Sequence, residues 1–223
     1  MQYLPLSKKE VLRYLGYRRK HELTPELSKM IDELMQEVQE CAKARYTYQV
    51  FDLAVNLENE EITVIGTDFH IPGNNAYHHL KNAEKIVLYA GTLGLEIERK
   101  IRIYEAIELT KGFILDACAV DYIEKVLDLA EVDVSHQYPD YYLNRRFSPG
   151  YGDVPLSIQD GFLRVCGADK KLGITLTDTN LMIPRKSVTA FAGLFKSEQL
   201  ARPRWKSPEN LSIEMVKDAK MKL

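Results

Sequence analysis

Phe51-Asp52-Leu53-Ala54-Val55-Asn56-Leu57, then Glu58-Asn59-Glu60-Glu61, then Ile62-Thr63-Val64-Ile65, is the stretch on which the fold turns. In its first run apolar residues alternate with Asp52, Ala54 and Asn56, the period that sends successive side chains to opposite faces of a strand. Two strand-like runs joined by a short polar turn predict an antiparallel hairpin. Ahead of it the period differs. Leu27, Ile31, Leu34, Val38 and Cys41 recur at steps of four and three, one apolar stripe along a helix. Thr24 and Pro25 suit its N-cap and first helical position. Ser7-Lys8-Lys9-Glu10 reads as a capping box that opens an earlier helix.

Beyond the hairpin, Lys85 to Ala90 is a short buried strand ending at Gly91-Thr92-Leu93-Gly94. From there to about Val134 the pattern is helical, and Gly112 is expected to break it into two helices. Residues 138–155 are loop-like, and Leu156 to Val165 reads as one more helix. Ile174-Thr175-Leu176-Thr177 and Val188 to Phe195 read as paired strands around the turn Pro184-Arg185-Lys186. Strands and helices come in blocks rather than strict alternation. That predicts an α+β fold, a twisted antiparallel sheet with flanking helices. The organisation expected is an N-terminal helical segment (1–45), a core (46–196) and a polar C-terminal arm (197–223) in one compact domain.

Lysine plus arginine number 30 against 32 acidic residues, a net charge of −2, so no global field exists to hold nucleic acid. No apolar run reaches the roughly 18 residues of a membrane span. Met1-Gln2-Tyr3-Leu4-Pro5-Leu6-Ser7 lacks the charged start and apolar core of a signal peptide. Cys41, Cys118 and Cys166 are odd in number, widely spaced and set among apolar residues. They fit reduced, buried thiols better than a disulfide frame or a zinc site. The expectation is a cytoplasmic protein with no metal site, no nucleic-acid partner and no membrane partner.

The unusual segment runs from Tyr138 to Pro155, where five aromatics, two arginines, three prolines and two glycines fall within 18 residues. Prolines fix the backbone and glycines let another group approach it. An arginine offers a planar fork for a carboxylate, and tyrosine a flat face with a hydroxyl. These residue types suit a small ligand with a carboxylate at one end and an aromatic ring at the other. They equally suit an ordered loop in which Arg146 pairs with Asp140 or Asp153, Gly150 makes a tight turn and Tyr151 is half-buried.

Arg146-Phe147-Ser148-Pro149-Gly150-Tyr151 resembles the Arg-x-x-x-Gly-Tyr loop of the reactivation domain of cobalamin-dependent methionine synthase. Pro149 and Pro155 fall where that family commonly has proline. Leu172-Gly173-Ile174-Thr175-Leu176-Thr177-Asp178-Thr179 resembles its Gly-hydrophobic-x-Leu-Thr-Glu-Ser strand, and Met182-Ile183-Pro184-Arg185-Lys186-Ser187-Val188-Thr189 its Met-x-Pro-x-x-Ser-Val-Ser turn. His79-Leu80-Lys81-Asn82-Ala83 and Thr92-Leu93-Gly94 are similar to free-standing members. The likeness spans residues 45–195 or so.

The resemblance implies a methionine synthase activation domain-like fold that binds S-adenosylmethionine through Arg146, Pro149, Gly150 and Tyr151. Arg146 would hold the ligand carboxylate, Gly150 would admit the backbone close to the adenosine, and Tyr151 would line that side. No catalytic residue is implied. Cobalamin would be carried only by a partner, a methionine synthase core, with a flavodoxin-like electron donor acting indirectly. The alternatives are reactivation of another corrinoid methyltransferase, or an interaction protein that keeps the fold without ligand binding. The chain departs from the large enzymes in having Ala190-Phe191-Ala192-Gly193 where they carry tyrosines. For their acidic ligand contact, Asp116 and Asp121 are the nearest candidates.

Other motifs are weaker. Asp68-Phe69-His70-Ile71-Pro72-Gly73 formally matches Asp-x-His-x-x-Gly, whose histidine ligates cobalt in some cobalamin proteins. The chain has no pair of adjacent glycines such as that family carries, so His70 is expected at the surface or half-buried. His78 and His79 are adjacent and would point apart on a helix, while His21 and His136 lie near helix ends. No phosphate loop or Gly-x-Gly-x-x-Gly follows a strand, which disfavours the doubly wound methyltransferase fold. Arg202, Arg204, Lys206, Lys217, Lys220 and Lys222 give the arm a positive character.

Overall fold

A computed structural model describes residues 4–17 and 22–201. His21 and the basic residues from Arg202 onward lie outside the described residues. The hairpin forms as its alternation requires. Strand β1 (Arg45–Asn56) pairs antiparallel with β2 (Glu61–Val64), with Asn56 opposite Glu61 and Leu53 opposite Val64. Leu57, the last apolar residue of the run, is left exposed in the turn. The strand also starts earlier than the alternation shows. Arg45 to Asp52 pair with β4 (Lys85–Thr92), so β1 lies between two partners.

The sheet has six strands in the order β3-β2-β1-β4-β8-β5, adding β3 (His70–Ile71), β5 (Tyr142–Leu143) and β8 (Ser187–Phe195), and each pairing is antiparallel. Both faces are covered. Ile86, Leu88 and Ala90 of β4 and Phe191 of β8 pack with Leu80 of α3 (Asn74–Leu80), Phe162 and Cys166 of α6 (Gln159–Cys166) and Leu172 of α7 (Ala168–Leu172). Val87 and Tyr89, with Ala190, Ala192 and Leu194, pack on Leu127, Ala130 and Val134 of the opposite layer. Burial on both sides explains why β4 reads as a continuous apolar run rather than an alternation.

That opposite layer is α5 (Leu109–Gln137), preceded by α4 (Leu95–Ile107). Helices α1 (Lys8–Tyr14) and α2 (Pro25–Cys41) add to it. The stripe on α2 buries Ile31, Leu34 and Val38, with Leu27 and Cys41 at its half-buried ends, against Leu115, Cys118 and Tyr122 of α5. Thr24 caps α2 at Leu27, with Pro25 in the first turn. At α1 only half of the capping box forms. Ser7 Oγ accepts from the Glu10 amide, but the Ser7 amide donates to Asp121 Oδ2 of α5 at 2.7 Å and Glu10 pairs with Arg13. A buried carboxylate outcompetes an exposed glutamate for that donor.

Three other expectations need correction. The break between the long helices is at Glu108, not at Gly112, which lies inside α5. The Ile174–Thr177 region and β8 do not pair with each other. β6 (Thr175–Leu176) pairs with β7 (Met182–Ile183) as a separate small hairpin, while β8 enters the main sheet between β4 and β5. The helix expected from Leu156 begins as a 3₁₀ turn over Leu156–Ile158 before α6. The arm starts with a last short helix, α8 (Glu198–Ala201).

Gly112 has a packing reason. A β-carbon built there would lie 2.8 Å from the Glu105 backbone nitrogen and 3.0 Å from its α-carbon. Alanine normally improves a helix interior by about 1 kcal/mol over glycine. Here α4 must move to admit it. Gly112→Ala is expected to lower stability, by about 1–3 kcal/mol as for other overpacked sites. Urea unfolding measures the change, and a more stable variant would show the contact to be slack.

Candidate functional site

The segment 144–148 runs beside β8 as an irregular edge. Phe147 exchanges backbone hydrogen bonds with Phe191, both at 2.8 Å. Strand alternation then sends neighbours to opposite faces. Phe147 lies toward α3, with the ring of His79 5.5 Å away. Arg146 turns the other way, onto α5. Its Nη2 donates to Glu124 Oε2 and to Asp128 Oδ1, both at 2.9 Å. Its Nη1 lies 3.3 Å from Glu131 Oε2. Burial works against a charged guanidinium, but the carboxylates of Glu131, Asp128 and Glu124 outweigh it and hold Arg146 cationic.

Three carboxylates thus converge on one arginine. Lys125 Nζ also lies 3.8 Å from Asp128. The acids occupy positions 124, 128 and 131, steps of four and three that share one face of α5. They differ in burial. The Asp128 and Glu131 side chains are 3% and 4% exposed, whereas that of Glu124 is 41% exposed and so open to exchange.

Beside this network is a cleft of about 300 Å³ lined by Glu124, Leu127, Arg146, Phe147, Ser148, Tyr151, Val188 and Ala190. Its rim is the turn after Arg146. Pro149 is buried, and Gly150, with φ at +90°, closes the turn by donating to the Val154 carbonyl at 2.9 Å. Tyr151 is 70% exposed rather than half-buried. The lining combines the charged Glu124 and Arg146 and the Ser148 hydroxyl with apolar Leu127, Val188 and Ala190 and the rings of Phe147 and Tyr151. This arrangement suits a molecule with a charged head and a flat body. A volume near 300 Å³ is small for a nucleoside-containing ligand, which would stand partly in solvent over the exposed ring.

Of the predicted site residues, Arg146 and Tyr151 line the cleft together, while Pro149 and Gly150 shape the turn between them without lining it. Asp140 and Asp153, named as partners of Arg146, do not reach it. Asp153 bonds instead to the start of α3. Asp116 pairs with Lys186 at 2.8 Å and Asp121 with the Ser7 amide, so neither faces the cleft. Glu124 lines the cleft instead, with Asp128 and Glu131 buried against Arg146, and the common helical face of the three was the available signal. Two larger depressions lack this combination. One, of about 540 Å³, is lined by Lys81, Arg145 and His78. The other, of about 490 Å³, is lined by Tyr14, Leu27 and Phe113. His70 is exposed on the edge strand β3, its ring against the Thr63 hydroxyl.

Two outcomes follow from the charges. Removing the arginine would take an opposing charge from two buried carboxylates. Arg146→Ala is expected to cost about 3–5 kcal/mol in unfolding free energy, while Glu124→Gln costs much less because its head is solvated. Chemical denaturation of both variants checks the contrast. His79 gives a pH signature. Burial lowers its pKa below the ordinary 6.5, with the Arg145 carbonyl, to which Nε2 donates at 2.7 Å, working the other way. A base lowered in the fold gives stability that is complete above 6.5 and lost as pH falls through the lowered value. His79→Gln should flatten that loss, read as denaturation midpoints across the acid side of neutrality.

No family model and no curated protein matches the sequence. Among solved structures, the crystal structure of the MetH reactivation domain bound to AdoHcy matches with a TM-score of 0.66 at 12% identity. The match spans 97% of this chain and 82% of that one. Among the described residues no helix is long and apolar enough to cross a membrane. The six-stranded antiparallel sheet and its flanking helices make this chain an α+β protein with the fold of the MetH reactivation domain.

Proposed function

We propose that the chain binds S-adenosylmethionine in the cleft between α5 and the 146–151 loop and acts as a free-standing reactivation component. It would present the ligand to cobalamin carried on a separate methionine synthase chain, with a flavodoxin-like donor supplying the electron. One observation carries this reading. Arg146, the exchangeable carboxylate of Glu124 and an exposed Tyr151 line one open cleft, with Asp128 and Glu131 buried against the guanidinium, on a fold shared with a structure crystallised with AdoHcy.

The residues fit such a ligand chemically. S-adenosylmethionine has one carboxylate, one ammonium and one sulfonium, a net positive charge. Its carboxylate would take the Arg146 fork in exchange for the solvated Glu124, while Asp128 and Glu131 keep the guanidinium fixed. Glu124, once released, would meet the ammonium. The half-exposed Glu124 carboxylate on the cleft favours a cationic ligand over its neutral thioether product. Tyr151 would flank the adenine, Gly150 would leave room for it and Pro149 would hold the backbone. When bound, the ligand supplies a methyl group to cobalamin. The chain's residues bind and orient it, and no general base is required.

Calorimetric titration tests the site. S-adenosylmethionine is expected to bind more tightly than AdoHcy, with the gap narrowing as salt screens the exposed charges. Arg146→Lys keeps the buried positive charge but not the fork, and should weaken binding by about 1.5–3 kcal/mol. Equal binding by wild type and this variant would remove Arg146 from the site. The partner reading has its own test. A cobalamin-loaded synthase core, S-adenosylmethionine and a one-electron donor should yield methylcobalamin only when this chain is added. Success with a different corrinoid protein alone would favour the alternative partner.

A further inference from the structure

Asp153 lies three residues past Gly150, at the far end of the turn that carries Tyr151. Its carboxylate accepts from the Asn74 amide at 2.7 Å, the Asn75 amide at 3.0 Å and the Asn75 side chain at 2.8 Å. These amides open α3, whose N-cap is Gly73, a residue with no side chain to cap it. The cap comes instead from 79 residues downstream of Asn74. The two backbones are closely apposed. A β-carbon on Gly73 would meet Asp153 Oδ1 at 2.8 Å and its carbonyl oxygen at 3.1 Å, and one on Gly152 would meet Asn75 Nδ2 at 2.8 Å.

The other end of α3 is bound to the same loop. His79 Nε2 donates to the Arg145 carbonyl at 2.7 Å, and Asn144 Nδ2 donates to the His79 carbonyl at 2.8 Å. A seven-residue helix, Asn74–Leu80, is therefore fastened at both ends to the segment 144–153 that bears Arg146 and Tyr151. Past Phe147, the turn 148–154 is closed by local backbone bonds. Gly150 donates to the Val154 carbonyl, Tyr151 to that of Ser148 and Val154 to that of Tyr151. Such a turn has little to resist fraying unless something outside it is rigid.

We propose that Asp153 is the positioning residue of the candidate ligand loop, and that α3 is the splint against which it holds Gly150 and Tyr151 in binding geometry. This rests on the ligand reading above. Asp153 touches no ligand and acts by removing the ordering cost that binding would otherwise bear. The Asn75 side-chain amide, then the Asn75 and Asn74 backbone amides, keep its carboxyl below the ordinary carboxylate range, so the cap persists throughout the neutral region. A carboxylate at a helix start is also favoured by the helix dipole.

The experiment uses the whole chain and S-adenosylmethionine as the probe, with Asp153→Ala, Asp153→Asn and Asn75→Ala compared by calorimetry. Far-ultraviolet circular dichroism confirms that each is folded. Asp153→Ala should weaken binding about tenfold, the effect of losing charge-assisted hydrogen bonds. Asp153→Asn, with one oxygen still accepting, should lose about threefold. Amide hydrogen exchange supplies the readout that a purely structural role would not move. The Gly150, Tyr151 and Val154 amides should exchange faster in free Asp153→Ala and return to the wild-type rate when ligand saturates it. Affinities equal to wild type in Asp153→Asn and Asn75→Ala overturn the inference, as does faster exchange that ligand leaves unchanged. Failure of the wild type itself to bind overturns the ligand reading and takes this inference with it, so the two failures are told apart by the first titration.

Discussion

Helix α5 has to be buried on two sides at once. At 29 residues it is about 44 Å long, and it is the only long element touched by both the sheet and the N-terminal helices among the described residues. Leu127, Ala130 and Val134 face the sheet, while Ile114, Leu115, Cys118 and Tyr122 face α2 and its neighbours. Tyr46 and Tyr48 of β1 reach across to hydrogen-bond Asp133 and Gln137. A helix so enclosed leaves few places for charge, and each charge placed there must be answered from another element. Asp121 is answered by the Ser7 amide, and Asp128 and Glu131 by Arg146.

That requirement links fold to site. Arg146 reaches α5 because Phe147 is paired with Phe191, and strand alternation leaves its neighbour no other direction. The same bridge turns Phe147 toward His79 and α3. One residue step separates the acid-lined cleft from the side lined by Lys81 and Arg145. The loop is thereby held on one side by a salt-bridge network and on the other by a short helix. The cleft is the space left where the network meets solvent at Glu124.

What could be read in the sequence was local. The hairpin at Asn56, the Thr24 cap and the stripe on α2 are set by neighbours within a few residues, and all form. Partners distant in sequence were harder. Whether Ile174–Thr177 would pair with Val188–Phe195 depends on competition from β4, whose double burial makes it the better partner for β8. Gly112 looked like a helix break because its cause, the approach of Glu105, lies on another helix. In the site, the motif residues Arg146, Gly150 and Tyr151 were legible as a group, but the acids facing them were not. Asp116 and Asp121 are carboxylates of the same helix as Glu124, Asp128 and Glu131. Asp121 even shares their face, three residues before Glu124, but is taken by the Ser7 amide, while Asp116 pairs with Lys186.

The cysteines give the protein a quiet redox surface. Burial pushes the Cys118 thiol up to about 12, with Asp121 adding to it, and burial does the same to Cys166, whose Sγ lies 3.4 Å from the Leu88 carbonyl. Thiolate is the reactive form, so both are inert toward alkylating reagents and mild oxidants while the fold is intact. Cys41, half-buried at the end of α2, is the most accessible of the three. With Cys41 replaced by serine, the folded chain becomes a blank background on which a single introduced cysteine can carry a spin label or fluorophore. The two remaining thiols then report any unfolding as new labelling.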